Sequence, residues 1–256
     1  MKRALRATWP PALLLVALFG AWEVYVDSGG GSGSLPAPHA IASSIWNDRS
    51  LIWSNFKPTA EAMLVGVLLA ALVGLALSAS MHLVPWLRRA LYPLAVSSQT
   101  LPIVLLAPLL VIWLGFGSKP ELVVIALICF FPIVVTTMNA LAQVDLELIK
   151  LSRSFDANRL RIFRHVELPA SLPGVLAGSK VGVGVSGIGA ILAEQSNGTT
   201  RGLGYLFEIS YNQFLLSRAW ATIAVLALFT IVLFALLSLA ERLALPWAYQ
   251  PRGDTA

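Results

Sequence analysis

KLSRSFDANRLRIFRHVELPASLPG, residues 150–174, carries five Lys or Arg side chains in its first fifteen positions and then returns to apolar sequence at Leu168-Pro169. Long apolar stretches lie on both sides of it. Short cytoplasmic loops of polytopic membrane proteins carry the Lys/Arg excess, so a basic island in such surroundings marks a side of the bilayer. The island also has shape. Leu146, Ile149, Leu151 and Phe155 recur close to helical spacing. Asp156 or Asn158 can then cap a second short helix. On that helix Leu160, Ile162, Phe163 and Val166 form an apolar stripe flanked by Arg159, Arg161, Arg164 and His165. Pro169 and Pro173 are expected to stop it and to begin the next apolar segment. The segment reads as two short amphipathic helices at about a right angle, held at a membrane surface. It is either a basic patch on anionic lipid or a knob for a cytoplasmic partner.

Composition supports a membrane setting. Of 256 residues 57% are hydrophobic and only 12% charged, whereas soluble domains carry about 25% charged residues. Six apolar runs are long enough to cross a bilayer, at about 10–26, 59–80, 93–114, 122–142, 171–193 and 219–240. In hydrocarbon the backbone must satisfy its own hydrogen bonds, and at these lengths that means helices. The expected fold is all-α and polytopic, one transmembrane domain over residues 1–256 with its core at 59–240.

With the N-terminus inside, the inner segments hold Lys2, Arg3 and Arg6, then Arg88 and Arg89, then the basic island, then Arg242 and Arg252. The outer segments hold only Arg49, Lys57, Lys119, Arg201 and Arg218. This asymmetry predicts N-in and C-in, which puts residues 143–169 in the cytoplasm. The net charge of +5 is then topological, with no nucleic-acid partner implied. The outer segment 27–57 contains a flexible linker, GGGSGSLPAP at 29–38, and a short interfacial helix bearing Ile41, Ile45, Trp46 and Trp53. The N-terminal apolar run is expected to be a retained helix, with a cleaved signal peptide as the alternative.

Few residues offer chemistry. The single cysteine, Cys129, lies in an apolar run without a CxxC or His partner, which makes it a small buried side chain with no metal or thiol role. GVLAGSK at 174–180 has three residues between its glycines, where a phosphate loop needs four, and Ser179 precedes Lys180. GVSG at 184–187 would need a histidine at membrane depth to act as a serine nucleophile, and His39, His82 and His165 are all expected at or beyond the edges. Its small residues, Ser186 among them, suit close helix approach. The third run contains Pro93, Pro102 and Pro108 around the polar stretch SSQT at 97–100. Ser98, Gln99 and Thr100 either line a polar path or bond neighbouring helices. Lys180 falls near mid-membrane, where it can attract an anion, snorkel or pair with backbone carbonyls. Glu194 lies at the outer end of its run, before GTTRGLG, and Glu23 is interfacial beside Trp22 and Tyr25.

The island resembles the cytoplasmic loop of permeases of bacterial binding-protein-dependent ABC importers, whose pattern is EAA, three residues, Gly, nine residues, Ile-x-Leu-Pro. The register fits without a gap. Lys150-Leu151-Ser152 stand at EAA, Asp156 at the glycine, and Val166, Leu168 and Pro169 at the end. Lys replaces Glu, both alanines are lost and Asp replaces Gly, yet Asp is one of the few residues that visit the left-handed region, so the bend survives. SSQTLPIVLLAPLLVIWLGFG, CFFPIVVTTMNAL and AEQSNGTTRGLGYL are similar to the branch serving nitrate, taurine, aliphatic sulfonates and vitamin precursors. The third run is most like permeases for thiamine pyrimidine precursors or riboflavin.

The resemblance implies a non-enzymatic subunit in the bacterial inner membrane. It would form a solute path with a second permease copy, take solute from an external binding protein and be driven by two ATPase subunits that handle the ATP. The chain itself would bind no cofactor and no metal. Lys150, Ser152, Asp156, Arg159, Phe163, Val166, Leu168 and Pro169 would form the ATPase-coupling loop, with Phe163 and Val166 as docking contacts. Ser98, Gln99, Thr100, Lys180, Ser186 and Glu194 would line the path. A secondary transporter or a non-transporting scaffold is the alternative. The former usually needs coupling-ion sites built from paired discontinuous helices, and here there is one isolated Lys and one broken run.

Overall fold

A computed structural model describes residues 2–30, 34–98, 100 and 102–249. Gln99 lies outside the described residues. No strand occurs among the described residues, as the apolar composition requires. Helix α1 (Lys2–Asp27) is followed by the short α2 (Pro38–Asn47) and then α3 (Arg49–Leu83), which runs 35 residues. That is about 52 Å of helix against about 30 Å of hydrocarbon, so the ends of α3 project from the bilayer. The expected interfacial helix is α2, and Trp53 belongs instead to α3.

The third apolar run is indeed broken. Helices α4 (Pro85–Ser98) and α5 (Ile103–Leu114) meet at 106°. Pro102 caps the start of α5 in extended conformation, because a residue without an N–H and with φ near −65° suits a helix entry better than an interior. Helix α6 (Ser118–Ala142) follows, then α7 (Leu146–Ser154), α8 (Arg159–Ile162), α9 (Leu168–Ser196), α10 (Leu203–Asn212) and α11 (Leu216–Ala244). Among the described residues, four helical stretches are long and apolar enough to cross a membrane: α3, α6, 159–196 and α11. The bent α4–α5 pair passes the same test taken together.

The expectation that Pro169 and Pro173 end the preceding helix is corrected. Helix α8, a π-helical turn (Phe163–Glu167) and α9 form one helical stretch of 38 residues. The Leu168 N–H reaches back five residues to the Phe163 carbonyl. This wider turn takes up one residue immediately before Pro169, where the ring would otherwise press on the carbonyl four residues back. Pro173 is carried inside α9 at the loss of one backbone bond.

Helix α6 forms the centre, between α3 and α9. Gly66 and Gly74 of α3 lie against Ile125 and Ile133 of α6, so these two helices run parallel. Gly174, Gly182 and Gly189 of α9 lie against Ala140, Cys129 and Ile125, so α9 runs antiparallel to α6. The bundle therefore has a cap end, with the starts of α3 and α6, the finish of α9 and α10, and a loop end with residues 143–169. Helix association in lipid rests on close packing because hydrocarbon supplies no hydrophobic drive. Ile125, Cys129, Ile133 and Val134 are fully buried, and the Cys129 thiol donates to the Gly182 carbonyl at 3.2 Å. A Cβ on Gly178 would lie 2.9 Å from Thr136 Cβ and closer still to its hydroxyl. On the same helix, Gly184 faces open space.

This contrast is testable. Gly178→Val should destabilise the detergent-solubilised protein by about 1–3 kcal/mol or more, as overpacking does. Gly184→Ala should be neutral, or stabilising by up to about 1 kcal/mol. Thermal unfolding followed by size-exclusion chromatography separates the two, and equal melting curves would contradict the packing described.

Candidate functional site

At the loop end the basic island is a braced hairpin. Asp145 opens α7 by accepting the Glu147 N–H at 2.8 Å. The helix closes through Asp156, whose φ is +58°. The Asp156 N–H bonds to the Arg153 carbonyl at 3.0 Å and the Ala157 N–H to that of Ser152 at 3.2 Å, the paired bonds of a left-handed helix cap. Asp156 thus does the conformational work of the glycine it replaces. Asn158 then caps α8, accepting the Arg161 N–H at 2.9 Å.

The two faces of this hairpin differ from the sequence expectation at Phe163. Phe163 is 7% exposed and Ile162 is buried beside it. The Phe163 ring packs on His82, near the end of α3, at 5.9 Å between centroids. Val166 and Pro169 are half-buried and Leu168 is exposed. Ile162 and Phe163 therefore face the bundle, whereas Leu160 of the same stripe is exposed. The outward apolar residues are Leu146, Leu148, Leu151, Phe155 and Leu160, with Phe155 77% exposed. Lys150, Arg153, Arg161 and Arg164 are exposed around them. Ser152 is half-buried and bonds its own helix at the Leu148 carbonyl.

Behind the hairpin lies a charge that the sequence reading did not single out. Glu167 is 2% exposed. One carboxylate oxygen accepts from Arg159 Nη1 at 2.6 Å, and the other lies 3.0 Å from His82 Nε2. Arg159 Nη2 also reaches the His82 carbonyl at 3.4 Å. Arg159 is thus directed toward the bundle, although 41% of its side chain is exposed.

At the cap end Glu194 organises a second buried network. It is 2% exposed and accepts from Thr59 Oγ1 at 2.6 Å and from the Gly204 N–H at 2.6 Å. The Leu203 N–H bonds to Thr59 Oγ1 at 2.8 Å and the Gly202 N–H to Asn55 Oδ1 at 3.0 Å. The first N–H groups of α10, which have no partner within their own helix, are thereby satisfied by α3 and α9, with a carboxylate at the positive end of the helix. Asn197 makes paired bonds to the Gly117 backbone, so the α5–α6 loop is tied to the end of α9. Arg218 grips Asp48 through two N–H donors, each at 2.9 Å.

The other expected path residues are dispersed. Lys180 Nζ lies 2.5 Å from Glu241 Oε2 on α11, in a half-buried pair. Ser98 and Thr100 hydroxyls donate at 2.7 Å to the carbonyls of Ala95 and Ser97 in their own segment. Ser186 is buried and bonds the Val183 carbonyl at 2.8 Å. These groups do not converge on one cavity. A cleft of about 520 Å³ opens at the cap end, lined by Ser54, Asn55, Arg201, Tyr205, Gln213 and Arg218 among others.

Comparison with known proteins turns this geometry into an assignment. The model of the family described as binding-protein-dependent transport system inner membrane component matches residues 62–246. The chain belongs to this family. It is 35% identical to the riboflavin transport system permease protein RibX of Chloroflexus aurantiacus, over 93% of this chain and 89% of that one. It is 32% identical to the formylaminopyrimidine transport permease protein ThiX of Halalkalibacterium halodurans, over 96% and 98%. A solved structure of the MetNI methionine ABC transporter in an inward-facing conformation superposes with a TM-score of 0.62, at 18% identity and over 85% of this chain and all of that chain. That likeness shows the fold.

The protein is accordingly a multi-pass membrane permease of the binding-protein-dependent import type, a component of a transport system. Such permeases work in the inner membrane with an ATPase and a solute-binding protein. Membership of the family sets aside the secondary-transporter and scaffold alternatives.

The cap-end pair gives a pH prediction. The paired Arg218 donors, helped by Ser44, hold the Asp48 carboxyl below the usual carboxylate range, against a smaller opposing effect of burial. A lowered folded-state pKa stabilises above the unfolded value of about 4 and is lost as pH falls through the folded value. The thermal midpoint of the purified permease should therefore drop on acidification below about pH 4. Asp48→Asn should lower the midpoint at pH 7 and flatten that acid limb. An unchanged limb in the variant would show that Asp48 does not contribute.

Proposed function

We propose that the permease spans the membrane six times with both termini inside and works as a homodimer whose interface forms the solute path. Two ATPase subunits dock on the outward face of residues 146–160, and the solute-binding protein docks at the cap end. Closure of the ATPases on ATP displaces the hairpins and turns the path outward, and hydrolysis resets it. The charge asymmetry of the loops supports the orientation. One observation carries the docking assignment: Leu151, Phe155 and Leu160 stand exposed on a segment capped by Asp145, Asp156 and Asn158, on which Lys150, Arg153, Arg161 and Arg164 are exposed as well. A rigid apolar knob with a basic rim fits a groove with an apolar floor and acidic edges better than it fits a flat lipid surface. Lys150, where the resembled pattern has Glu, belongs to that rim.

The expected cargo is a small polar solute, and we place it with vitamins and their precursors. The relatives cited above at 35% and 32% identity are named for riboflavin and formylaminopyrimidine transport. Relatives named for taurine and nitrate transport stand at 29% and 23%. Lys180, a cation that would favour an anion inside the bundle, is already matched by Glu241.

Two experiments test these assignments. Phe155→Asp combined with Leu160→Asp should cut recovery of the ATPase subunit with tagged permease from detergent extracts at least about tenfold, with the permease itself still eluting as a single species. Full recovery would move docking elsewhere. Uptake by cells producing the complete importer should be seen with labelled riboflavin or a thiamine pyrimidine precursor and not with taurine or nitrate. Accumulation of taurine would reverse the choice of solute.

A further inference from the structure

The buried carboxylate behind the docking hairpin has no role in the assignments above. Glu167 uses one oxygen for Arg159, eight residues back across the π turn, and the other for His82, 85 residues away near the end of α3. Its two partners therefore belong to different moving parts. Arg159 opens α8 and precedes Leu160, one of the exposed docking residues. His82 lies one residue before the end of α3, a helix packed along α6. Phe163 seals the same spot by covering the His82 ring.

A buried carboxylate that served only to satisfy its own helix would take a local donor. Here it ties the base of α9 to α3 across the one turn where the rod is wound differently. Single π-turns inside α-helices are rare and occur frequently at functional sites. A buried ion pair is also costly to break, because removing one partner leaves the other charge unpaired away from water.

From this we infer that Glu167 is a positioning residue that transmits displacement of the docking hairpin to α3, so that α3 and α9 move as one unit when the ATPases close. This inference rests on the docking assignment above. Without the Arg159–Glu167–His82 tie, the hairpin would still follow its ATPase and push on α9 through the continuous helix, but α3 would no longer follow.

The test is hydrogen exchange followed by mass spectrometry on the purified permease–ATPase complex, compared without nucleotide and after trapping with ATP and vanadate. No transported solute is needed. In the parent, trapping should change protection both in 146–156 and in 78–83. In Glu167→Gln the first response should persist, and the second should shrink at least about threefold, within the range reported for coupling networks. Arg159→Ala should do the same, and it carries the test alone if Glu167→Gln yields no assembled complex. The double variant should be no worse than the stronger single, since both break one network. A purely architectural role would raise exchange in both nucleotide states and leave their difference intact in 78–83, which would overturn the inference. A parent that responds in 146–156 but not in 78–83 would also overturn it while leaving docking standing. A parent that responds in neither segment, or that retains no ATPase, would instead remove the docking assignment.

Discussion

The bundle is centred on α6, between α3 and α9, and α6 can serve that purpose only because these neighbours give up side chains to approach it. Hydrocarbon offers helices no hydrophobic reward for associating, so contact distance is what holds the bundle together. Gly66 and Gly74 on one flank and Gly174, Gly178 and Gly182 on the other let α3 and α9 lie against Ile125, Cys129, Ile133 and Thr136. The small-residue run GVSG at 184–187 is not part of this contact, since Gly184 meets nothing and Gly187 lies against Leu226 and Thr230 of α11. Once three helices are held this closely, polar chemistry is forced to the two ends, where carboxylates can meet donors from more than one helix.

Those ends are built on the same device with different consequences. At the cap end Glu194 satisfies the start of α10 and binds Thr59 of α3, while Asn197 holds the loop before α6. At the loop end Glu167 gathers Arg159 and His82. In both places a buried acid from the α8–α9 rod reaches α3. The cap-end acid satisfies backbone groups, which leaves little reason for it to release them. The loop-end acid satisfies side chains, one of which is partly exposed and lies beside the proposed ATPase contact.

Much of the architecture was legible in the residues. Uninterrupted apolar length located four of the six expected spans, the run at 10–26 not being among them, the prolines around SSQT announced the broken run, and Asp156 and Asn158 were legible as turn and cap because their local chemistry decides their conformation. The failures have one physical origin. A stripe such as Leu160, Ile162, Phe163 and Val166 states that one face of a helix is apolar, but not whether the chain itself or another protein covers it. Glu167 was passed over because its meaning lies in His82, and Lys180 could not be paired with Glu241, 61 residues on. The π turn was invisible as well, since prolines at 169 and 173 read locally as a stop. The signal that could have found Glu167 is an acid placed directly before the Leu168-Pro169 start of a long apolar run and just after three arginines.

The unbroken course from Arg159 to Ser196 changes what a small movement at the ATPase can accomplish. A rod of 38 residues is about 57 Å long. Pivoted near its π turn, with an arm of 29 residues to Ser196, a tilt of about 5° sweeps its far end through about 4 Å, most of the rise of a helical turn. The far end carries Glu194 and Asn197, and with them α10 and the loop that enters α6. A bend at Pro169 would have absorbed such a tilt at the membrane surface. By passing through the prolines without yielding, the chain becomes a lever that spans the bilayer and delivers motion made on one side to the mouth on the other.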